Sequence, residues 1–287
     1  MSLKTKHTIY LFITAMIWGA AFVAQAAGNV MGPVTFVSFR NFLAFLALLP
    51  VIRFLYGDFR MDKWTVLGGV CCGVILFFAS TVQQMGLLYT SPGKAGFITA
   101  CYMVIVPILG MMFGKRLSGK ILIAIVIAVA GMYFICIPKG EGFSGVSKGD
   151  LLCLGCALLF ACHILCVDHF MEHANGVKLS CLQFLVCGIL AFFAMLPTEG
   201  IDLLSVGTGI VPLLYAGILS SGVGYTLQIV GQKGVNPSVA ALILSLESCF
   251  AVLAGWILIG SKLSGREIAG CVIMFAAIVL TQLPDKN

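Results

Sequence analysis

The chain has 287 residues, of which 60% are apolar and only 10% are charged, and its mean hydropathy is +1.09. In soluble domains roughly a quarter of the residues are charged, so this composition excludes an ordinary soluble protein. It predicts an all-α integral membrane protein embedded in a lipid bilayer. The formal net charge of +6 comes from basic residues that stand singly or in pairs between apolar runs. A nucleic-acid-binding surface would cluster them, and we therefore expect no nucleic-acid partner.

Ten apolar runs, separated by turn and charge signals, predict ten transmembrane helices. The opening segment MSLKTKHTIYLF leads directly into the first run without a small-residue cleavage site. We therefore expect this run to stay in the membrane as a helix and not to act as a cleaved signal. The predicted helices span residues 8–27, 33–52, 64–89, 93–113, 119–137, 149–169, 178–197, 208–230, 237–259 and 266–283.

Two motifs recur in the same order in the two halves of the chain. GKRLSG at 114–119 is similar to GSKLSG at 260–265, and each lies between the fourth and the fifth run of its half. Upstream, QQMGLLYTSPGKAG at 83–96 parallels LQIVGQKGVNPSVAA at 227–241, with glutamine, proline and alanine at matching positions. Either match alone could reflect shared apolar composition, but both together favour an internal repeat.

The number of helices in each half determines the symmetry of the repeat. Five is an odd number, so the second copy must enter the membrane from the opposite side. We therefore expect two inverted-topology five-helix repeats, residues 1–140 and 141–287, joined by the glycine-rich segment 138–150; many secondary transporters have this layout.

The positions of lysine and arginine predict the orientation of the chain. With both termini in the cytoplasm, eleven basic residues fall on the cytoplasmic side and five on the other, as the positive-inside rule requires. The cytoplasmic set is Lys4, Lys6, Arg53, Arg60, Lys63, Lys115, Arg116, Lys120, Lys178, Lys233 and Lys286. The opposite set is Lys94, Lys139, Lys148, Lys262 and Arg266.

Glu247 is the only acid, and Arg40 the only base, that lies deep within a predicted helix. A charged side chain at mid-membrane is costly and therefore needs a structural or functional reason. One interpretation is a structural ion pair that joins the second helix to the ninth. The other is that both residues line a wet central cavity, are linked directly or through water, and govern transport. Glu247 could then carry a coupling proton or contact a cationic substrate.

Further polar and aromatic side chains lie near mid-membrane, where polar groups turn away from lipid. Packing is the alternative role for each of them, and it is the commoner one for a lone histidine. Pro107 should bend the fourth helix because it removes a backbone hydrogen bond. Besides Glu247 and Arg40, the candidates for a substrate-binding cavity wall are Trp18, Gln83, Thr99, Tyr102, His163 and Gln228.

The fifth and tenth predicted helices carry few polar side chains. We expect them to serve as packing surfaces or as the interface of a homodimer, while the first four helices of each half build the cavity.

No pattern in the chain supports catalysis, a cofactor or a metal. Cys153 and Cys156 have CxxC spacing, but no second such pair or histidine pair completes a zinc set. HFMEH at 169–173 falls in a predicted loop and is not HExxH, and there is no Walker motif. We expect no catalytic residue, no cofactor and no metal site. An intramembrane enzyme would need a cluster of nucleophile and base, and a channel would need rings of charge or a filter loop. Neither pattern is visible in the sequence.

Five stretches of the chain together form a recognisable set: IWGAAFVAQ (17–25), GPVTFVSFRNFLA (32–44), QQMGLLYTSPGKAGFITACYMVIVPILG (83–110), GDLLCLGCALLFACHILCVD (149–168) and YTLQIVGQKGVNPSVAALILSLESCFAVLAGWILIGSKLSG (225–265). In this set the chain resembles the EamA-type permeases, ten-helix members of the drug/metabolite transporter superfamily. It departs from the family pattern at Ser248, where proline is common, and at Ser261, where an acid is common.

The resemblance implies a secondary transporter, either a permease or an exporter, for a small organic metabolite such as an amino acid or an amine. Together with the inverted repeat, it predicts alternating access across the cytoplasmic membrane. A channel-like or purely structural membrane protein is the alternative.

Overall fold

The structure is a computed structural model that describes residues 3–90, 92–112, 114, 117–136, 147–200, 202–259 and 264–283. Over these residues the chain is helical and contains no β-strand. The α-helices are α1 (Leu3–Gly28), α2 (Pro33–Tyr56), α3 (Lys63–Gly86), α4 (Pro92–Ala100), α5 (Tyr102–Met112), α6 (Gly119–Cys136), α7 (Lys148–Phe170), α8 (Gly176–Thr198), α9 (Leu203–Thr208), α10 (Ile210–Leu214), α11 (Thr226–Gln232), α12 (Pro237–Leu244), α13 (Glu247–Ile259) and α14 (Gly265–Gln282). A 3-10 turn (Asn29–Met31) follows α1, and a π-helical segment (Tyr215–Tyr225) lies between α10 and α11.

Eight helical stretches are long and apolar enough to cross a bilayer, so the protein is a multi-pass membrane protein. The ten predicted runs all lie largely within helices. However, α6 is shorter than these eight stretches, and α14 carries Arg266 and Glu267 in its first turn. The number of ten spans therefore stays a prediction. The eight stretches are Thr5–Met31, Pro33–Tyr56, Lys63–Gly86, Lys94–Met112, Lys148–Phe170, Gly176–Thr198, Ile210–Gln232 and Pro237–Ile257.

Two of the predicted helices are interrupted near the middle. The fourth is divided into α4 and α5 at Cys101, and the ninth into α12 and α13 at Ser245 and Leu246. At both interruptions the backbone tightens to 3-10-type bonds. The Cys101 N–H donates to Ile98 O at 3.2 Å, and the Leu246 N–H donates to Ile243 O at 3.2 Å. Such short 3-10 stretches within a helix often mark a hinge.

The interruption of the fourth predicted helix lies at Cys101 and not at Pro107, where the sequence led us to expect a bend. Helix α5 continues through Pro107. In the ninth predicted helix the interruption forms although Ser248 replaces the proline common in the family. There the hydroxyl of Ser245 donates to Leu242 O at 2.7 Å, a local side-chain bond that competes with the regular helix. The other departure, Ser261, lies outside the described residues.

The first and second halves of the chain pack together chiefly through five helix pairs: α1 with α13, α2 with α8, α3 with α7, α3 with α8, and α6 with α14. Glycines permit the closest of these crossings. A Cβ atom added at Gly270 would lie 2.6 Å from the Gly131 carbonyl oxygen, and one added at Gly131 would lie 2.9 Å from the Gly270 carbonyl oxygen. Because small residues allow helices to approach closely in lipid, this glycine pair holds α6 against α14.

Candidate functional site

The two interruptions bring Tyr102 and Glu247 together. Each is the first residue after its interruption, Tyr102 in α5 and Glu247 in α13. The Tyr102 hydroxyl donates a hydrogen bond to Glu247 Oε1 at 3.2 Å, and both residues are buried. The first turn of a helix has unpaired N–H groups and partial positive charge. The start of α13 is therefore a favourable place for a carboxylate.

Tyr102 and Glu247 line a cavity enclosed by nine helical segments. Its volume is about 30 Å³, and since each water needs roughly 10–15 Å³ on this scale, it has room for about two water molecules. Seven of the eight candidate residues line it, and neither α6 nor α14 contributes to the part of the wall that the structure describes. The lining residues are Trp18, Phe22, Gln25, Arg40, Gln83, Thr99, Tyr102, Phe160, Ile164, Ser220, Tyr225, Gln228 and Glu247.

Arg40 lines the cavity from α2 but does not form an ion pair with Glu247. Its Nη1 donates to Gln25 Oε1 at 3.3 Å, and its guanidinium lies 5.8 Å from the ring centre of Phe36. Its Nε has no hydrogen-bond partner among the residues that the structure describes. The direct link to Glu247 allowed by the sequence is therefore absent from this structure, whereas a link through water stays a prediction. A buried N–H without a partner is costly, so this group is available to bind water or an anionic group.

The π-helical segment borders the same cavity and is fastened to α1. Trp18 Nε1 donates to Ser220 O at 3.1 Å, and Thr14 Oγ1 donates to Gly224 O at 3.1 Å. The Trp18 ring also packs against the ring of Tyr225, with centroids 4.5 Å apart. Trp18 is thus held in place by both a hydrogen bond and a ring contact. π-Helical turns are rare and are frequent at functional sites.

Gln83 and Gln228 hold matching positions in the two halves and both line the cavity, but they bond to different partners. Gln83 Nε2 lies 3.5 Å from Thr99 Oγ1, whereas Gln228 Nε2 donates to Gln232 Oε1 at 2.9 Å. The buried Gln228 Oε1 accepts no hydrogen bond from any described residue. It is therefore an acceptor available to water or to an N–H group of a solute.

His163 is the one candidate that does not line the cavity. Its Nε2 lies 3.0 Å from Gln183 Oε1, and its ring packs edge-on against Tyr225 with centroids 5.9 Å apart. Tyr225 does line the cavity, so His163 lies directly behind the wall. This arrangement favours the packing role over direct contact with a solute.

Phe22, one of the aromatic side chains that the sequence placed near mid-membrane, also lines the cavity. Five lining residues were not singled out from the sequence: Gln25, Phe160, Ile164, Ser220 and Tyr225. A signal existed for Gln25, because it follows Trp18 by seven residues and therefore shares its helix face. No comparable signal marks Ser220 and Tyr225. They lie in a π-helical segment, whose side-chain periodicity differs from that of an α-helix.

The described residues include no group of three or more His, Cys, Asp or Glu side chains that could hold a metal ion. In the HFMEH segment, the rings of His169 and His173 lie near the ring of Trp64, with centroid distances of 6.5 and 5.3 Å. Cys153 and Cys156 are buried free thiols. The histidines thus have an aromatic packing partner in this structure.

Contacts at the helix ends hold the helices that carry the site. Lys178 Nζ in α8 donates to Asp58 Oδ1 in the α2–α3 loop at 2.8 Å. This hydrogen bond is the main cause that lowers the pKa of Asp58 below its ordinary value. The Glu199 carboxylate accepts from the N–H groups of Val34 at 3.0 Å and Thr35 at 2.8 Å. Glu199 therefore caps α2, the helix that presents Arg40.

Comparison with known proteins agrees with this architecture. The family model described as the EamA-like transporter family matches the chain twice, over residues 5–137 and 147–283. An uncharacterized transporter of Archaeoglobus fulgidus is 33% identical over 276 residues, which cover 95% of this chain and 84% of that protein. A second uncharacterized transporter of the same organism is 24% identical over 273 residues, which cover 94% of each chain.

A solved crystal structure of a protein aligns with a TM-score of 0.81 and 15% sequence identity, covering 97% of this chain and 96% of that one. At this identity the likeness concerns the fold alone. The family match, in contrast, extends over nearly the whole sequence and agrees with the apolar helices and the buried polar cavity. The chain belongs to the EamA-like transporter family, within the drug/metabolite transporter superfamily, and is a membrane transporter.

Proposed function

We propose that the protein is a secondary transporter that moves an amino acid, or a related amine, across the cytoplasmic membrane by alternating access. One observation carries this proposal: Glu247 and Arg40 line the same cavity, and neither forms an ion pair within the described part of the chain. Buried charges are usually paired. A ligand that brings an ammonium to one and a carboxylate to the other would satisfy both.

The rest of the wall suits such a ligand. The Glu247 carboxylate can accept from an ammonium group, and the guanidinium of Arg40 can donate to a carboxylate. Trp18 and Tyr225 contribute aromatic surface for an apolar side chain, as in most small-molecule sites. An amine without a carboxylate would use Glu247 alone, and a proton on Glu247 could then couple its movement to the pH gradient.

The size of the cavity supports a conformational cycle. A volume of about 30 Å³ is too small for an amino acid, so binding requires the helices to move apart. The interruptions α4–α5 and α12–α13 supply short 3-10 turns beside the cavity, and hinges of this kind absorb domain movements. We infer that these two places flex as the cavity opens to one side and then to the other.

The proposed orientation, with both termini cytoplasmic and two inverted repeats, can be tested by labelling single cysteines at position 5 and at position 143. Position 143 lies outside the described residues. We expect a membrane-impermeant reagent to label position 5 from the cytoplasm and position 143 from the opposite side; equal labelling of both from the cytoplasm would contradict the proposal. A homodimer through α6 and α14 also stays a prediction, which the mass of the purified protein would test.

Transport itself can be tested in proteoliposomes loaded with labelled amino acids and amines, one compound at a time. We expect saturable flux for at least one compound, and loss of that flux in Glu247→Gln and Arg40→Gln. Glu267→Gln is a matched control for the acid because glutamine also completes the α14 capping box. Arg53→Gln, at the exposed end of α2, is the control for the base. Saturable flux that survives in both cavity variants would contradict the proposed site.

A further inference from the structure

A pair of thiols joins two helices that come from different halves of the chain. Cys72 in α3 and Cys166 in α7 lie with their Sγ atoms 3.5 Å apart. A disulfide bond is about 2.05 Å long, so the sulfur atoms need to approach by about 1.5 Å, a distance within the reach of small side-chain rotations. Neither residue lines the cavity, and the proposed function does not use them.

The packing of α3 against α7 keeps these thiols within reach of each other. The two helices run antiparallel and touch near both ends. A Cβ atom at Gly68 would lie 2.9 Å from Phe170 Cγ, and one at Gly86 would lie 2.8 Å from Cys153 Sγ. Because glycines allow close contact at both ends, the helices stay in register and the thiol pair between them stays opposed.

The two thiols differ in their access to the surface. Cys72 is completely buried, whereas Cys166 is partly exposed. Cys166 and Cys162 line a groove of about 700 Å³ that α5 and α7 form with the residues after α7. A small oxidant that enters this groove meets Cys166 and cannot reach Cys72.

We propose that Cys72 and Cys166 form an oxidisable dithiol, which hydrogen peroxide converts to a disulfide that joins α3 to α7. In the first step the sulfur of Cys166 attacks one peroxide oxygen, the O–O bond breaks, and a sulfenic acid and one water form. In the second step the Cys72 sulfur displaces the hydroxyl from that sulfenic acid, which gives the disulfide and a second water. Two electrons pass from the two thiols to the peroxide, and a thiol reductant restores the pair.

The location of the pair agrees with a reversible modification. Under the proposed orientation, Cys166 lies toward the cytoplasmic end of α7, where glutathione keeps thiols reduced and disulfides form transiently. Cys162 stands one helical turn from Cys166 and lines the same groove, but the thiol in contact with Cys72 is that of Cys166. Cys71 is the neighbour of Cys72 in α3. Cys162 and Cys71 are therefore natural controls for Cys166 and Cys72.

A protease site placed within residues 138–146 makes the bond visible, because cutting there separates Cys72 from Cys166. The intact protein in membranes is treated with hydrogen peroxide, its remaining thiols are alkylated, and it is then denatured and cleaved. On a non-reducing gel we expect most of the oxidised chains to keep their two fragments together. Dithiothreitol should separate them.

Variants identify the cysteines concerned. We expect Cys72→Ala and Cys166→Ala to lose the linked band, and Cys71→Ala and Cys162→Ala to retain it. Mass spectrometry of the wild-type protein should find the Cys72 peptide joined to the Cys166 peptide, with two hydrogen atoms lost, and this measurement does not depend on how the variants fold. Separate fragments in the oxidised wild type, or a linked peptide that contains other cysteines in place of these two, would overturn the proposal. Neither result bears on whether the protein transports amino acids.

Discussion

The hydrogen bond between Tyr102 and Glu247 allows a sharp test of the site. Tyr102→Phe removes one oxygen atom and keeps the ring, so it deletes the donor to Glu247 Oε1 without opening a large cavity. The buried carboxylate at the start of α13 then loses the one side chain that donates a hydrogen bond to it among the described residues. We expect both a loss of stability and a change in transport.

The magnitude follows from the geometry of the bond. A hydrogen bond contributes about 0.5–1.5 kcal/mol when both groups are neutral and about 1.5–3 kcal/mol when one is charged. The distance of 3.2 Å is longer than the roughly 2.7–2.8 Å that is usual for an O–H···O bond. This hydrogen bond should therefore be weaker than an average one, which favours the lower end of these values. We expect a loss of about 1 kcal/mol, or a decrease in Tm of roughly 2–4 °C for a chain of this size.

Tyr225→Phe is the matched control. Tyr225 lines the same cavity and is similarly buried, but its hydroxyl makes no hydrogen bond recorded within the described residues. Thermal unfolding in detergent should show a lower Tm for Tyr102→Phe and an almost unchanged Tm for Tyr225→Phe. Proteoliposome flux should fall in the first variant, with a raised KM for a cationic or zwitterionic compound. Equal effects of the two substitutions on Tm would refute the role assigned to the Tyr102–Glu247 bond.

Three further predictions follow from the packing and the charges. Because Glu247 and Arg40 are not paired, the stability losses of Glu247→Gln and Arg40→Gln should add within about 0.5 kcal/mol in the double variant; a double variant more stable than either single one would reveal a direct pair. Gly270→Ala should lower stability by about 1–3 kcal/mol because its Cβ meets the α6 backbone, whereas Gly155→Ala, with open space around it, should be neutral or stabilising by up to about 1 kcal/mol. The pKa of Asp58 is lower in the folded state than its ordinary value of 3.8. The stability that Asp58 contributes is therefore present above about pH 3.8 and is lost as the pH falls from there through the lower, folded-state pKa. The Tm of the wild type should therefore drop toward that of Asp58→Asn in acid, and parallel curves for the two proteins would contradict this assignment.

Much of the architecture could be predicted from the sequence because lipid imposes simple rules. Backbone groups in a bilayer must bond internally, so the apolar runs had to be helices, and nearly all of them are where the hydropathy placed them. Polar side chains avoid lipid, so a glutamate, an arginine and two glutamines deep in those runs had to turn inward. This reasoning selected seven residues that line one cavity, although it could not say what they bind.

The partners of those residues depended on the tertiary structure. The side chain of Arg40 meets Gln25, and Glu247 meets Tyr102 across two different helices. Opposite charge suggested a pair between Arg40 and Glu247, but the contact also requires that α2 and α13 present those side chains to each other at the same depth. Helix rotation and depth are set by packing between neighbouring helices, which hydropathy does not encode.

The irregular backbone was also decided only in three dimensions. Proline is the sequence signal for a broken helix, yet the chain breaks at Cys101 and at Ser245–Leu246 without proline at either place, and it forms a π-helical segment at Tyr215–Tyr225. These features are stabilised by contacts far apart in sequence, such as the bond from Trp18 to Ser220 O. A local sequence pattern can indicate that an irregular turn is unfavourable, but it does not contain the distant side chain that stabilises the turn. The Cys72–Cys166 pair was likewise decided by the tertiary structure, because its two cysteines lie on helices from opposite halves of the chain.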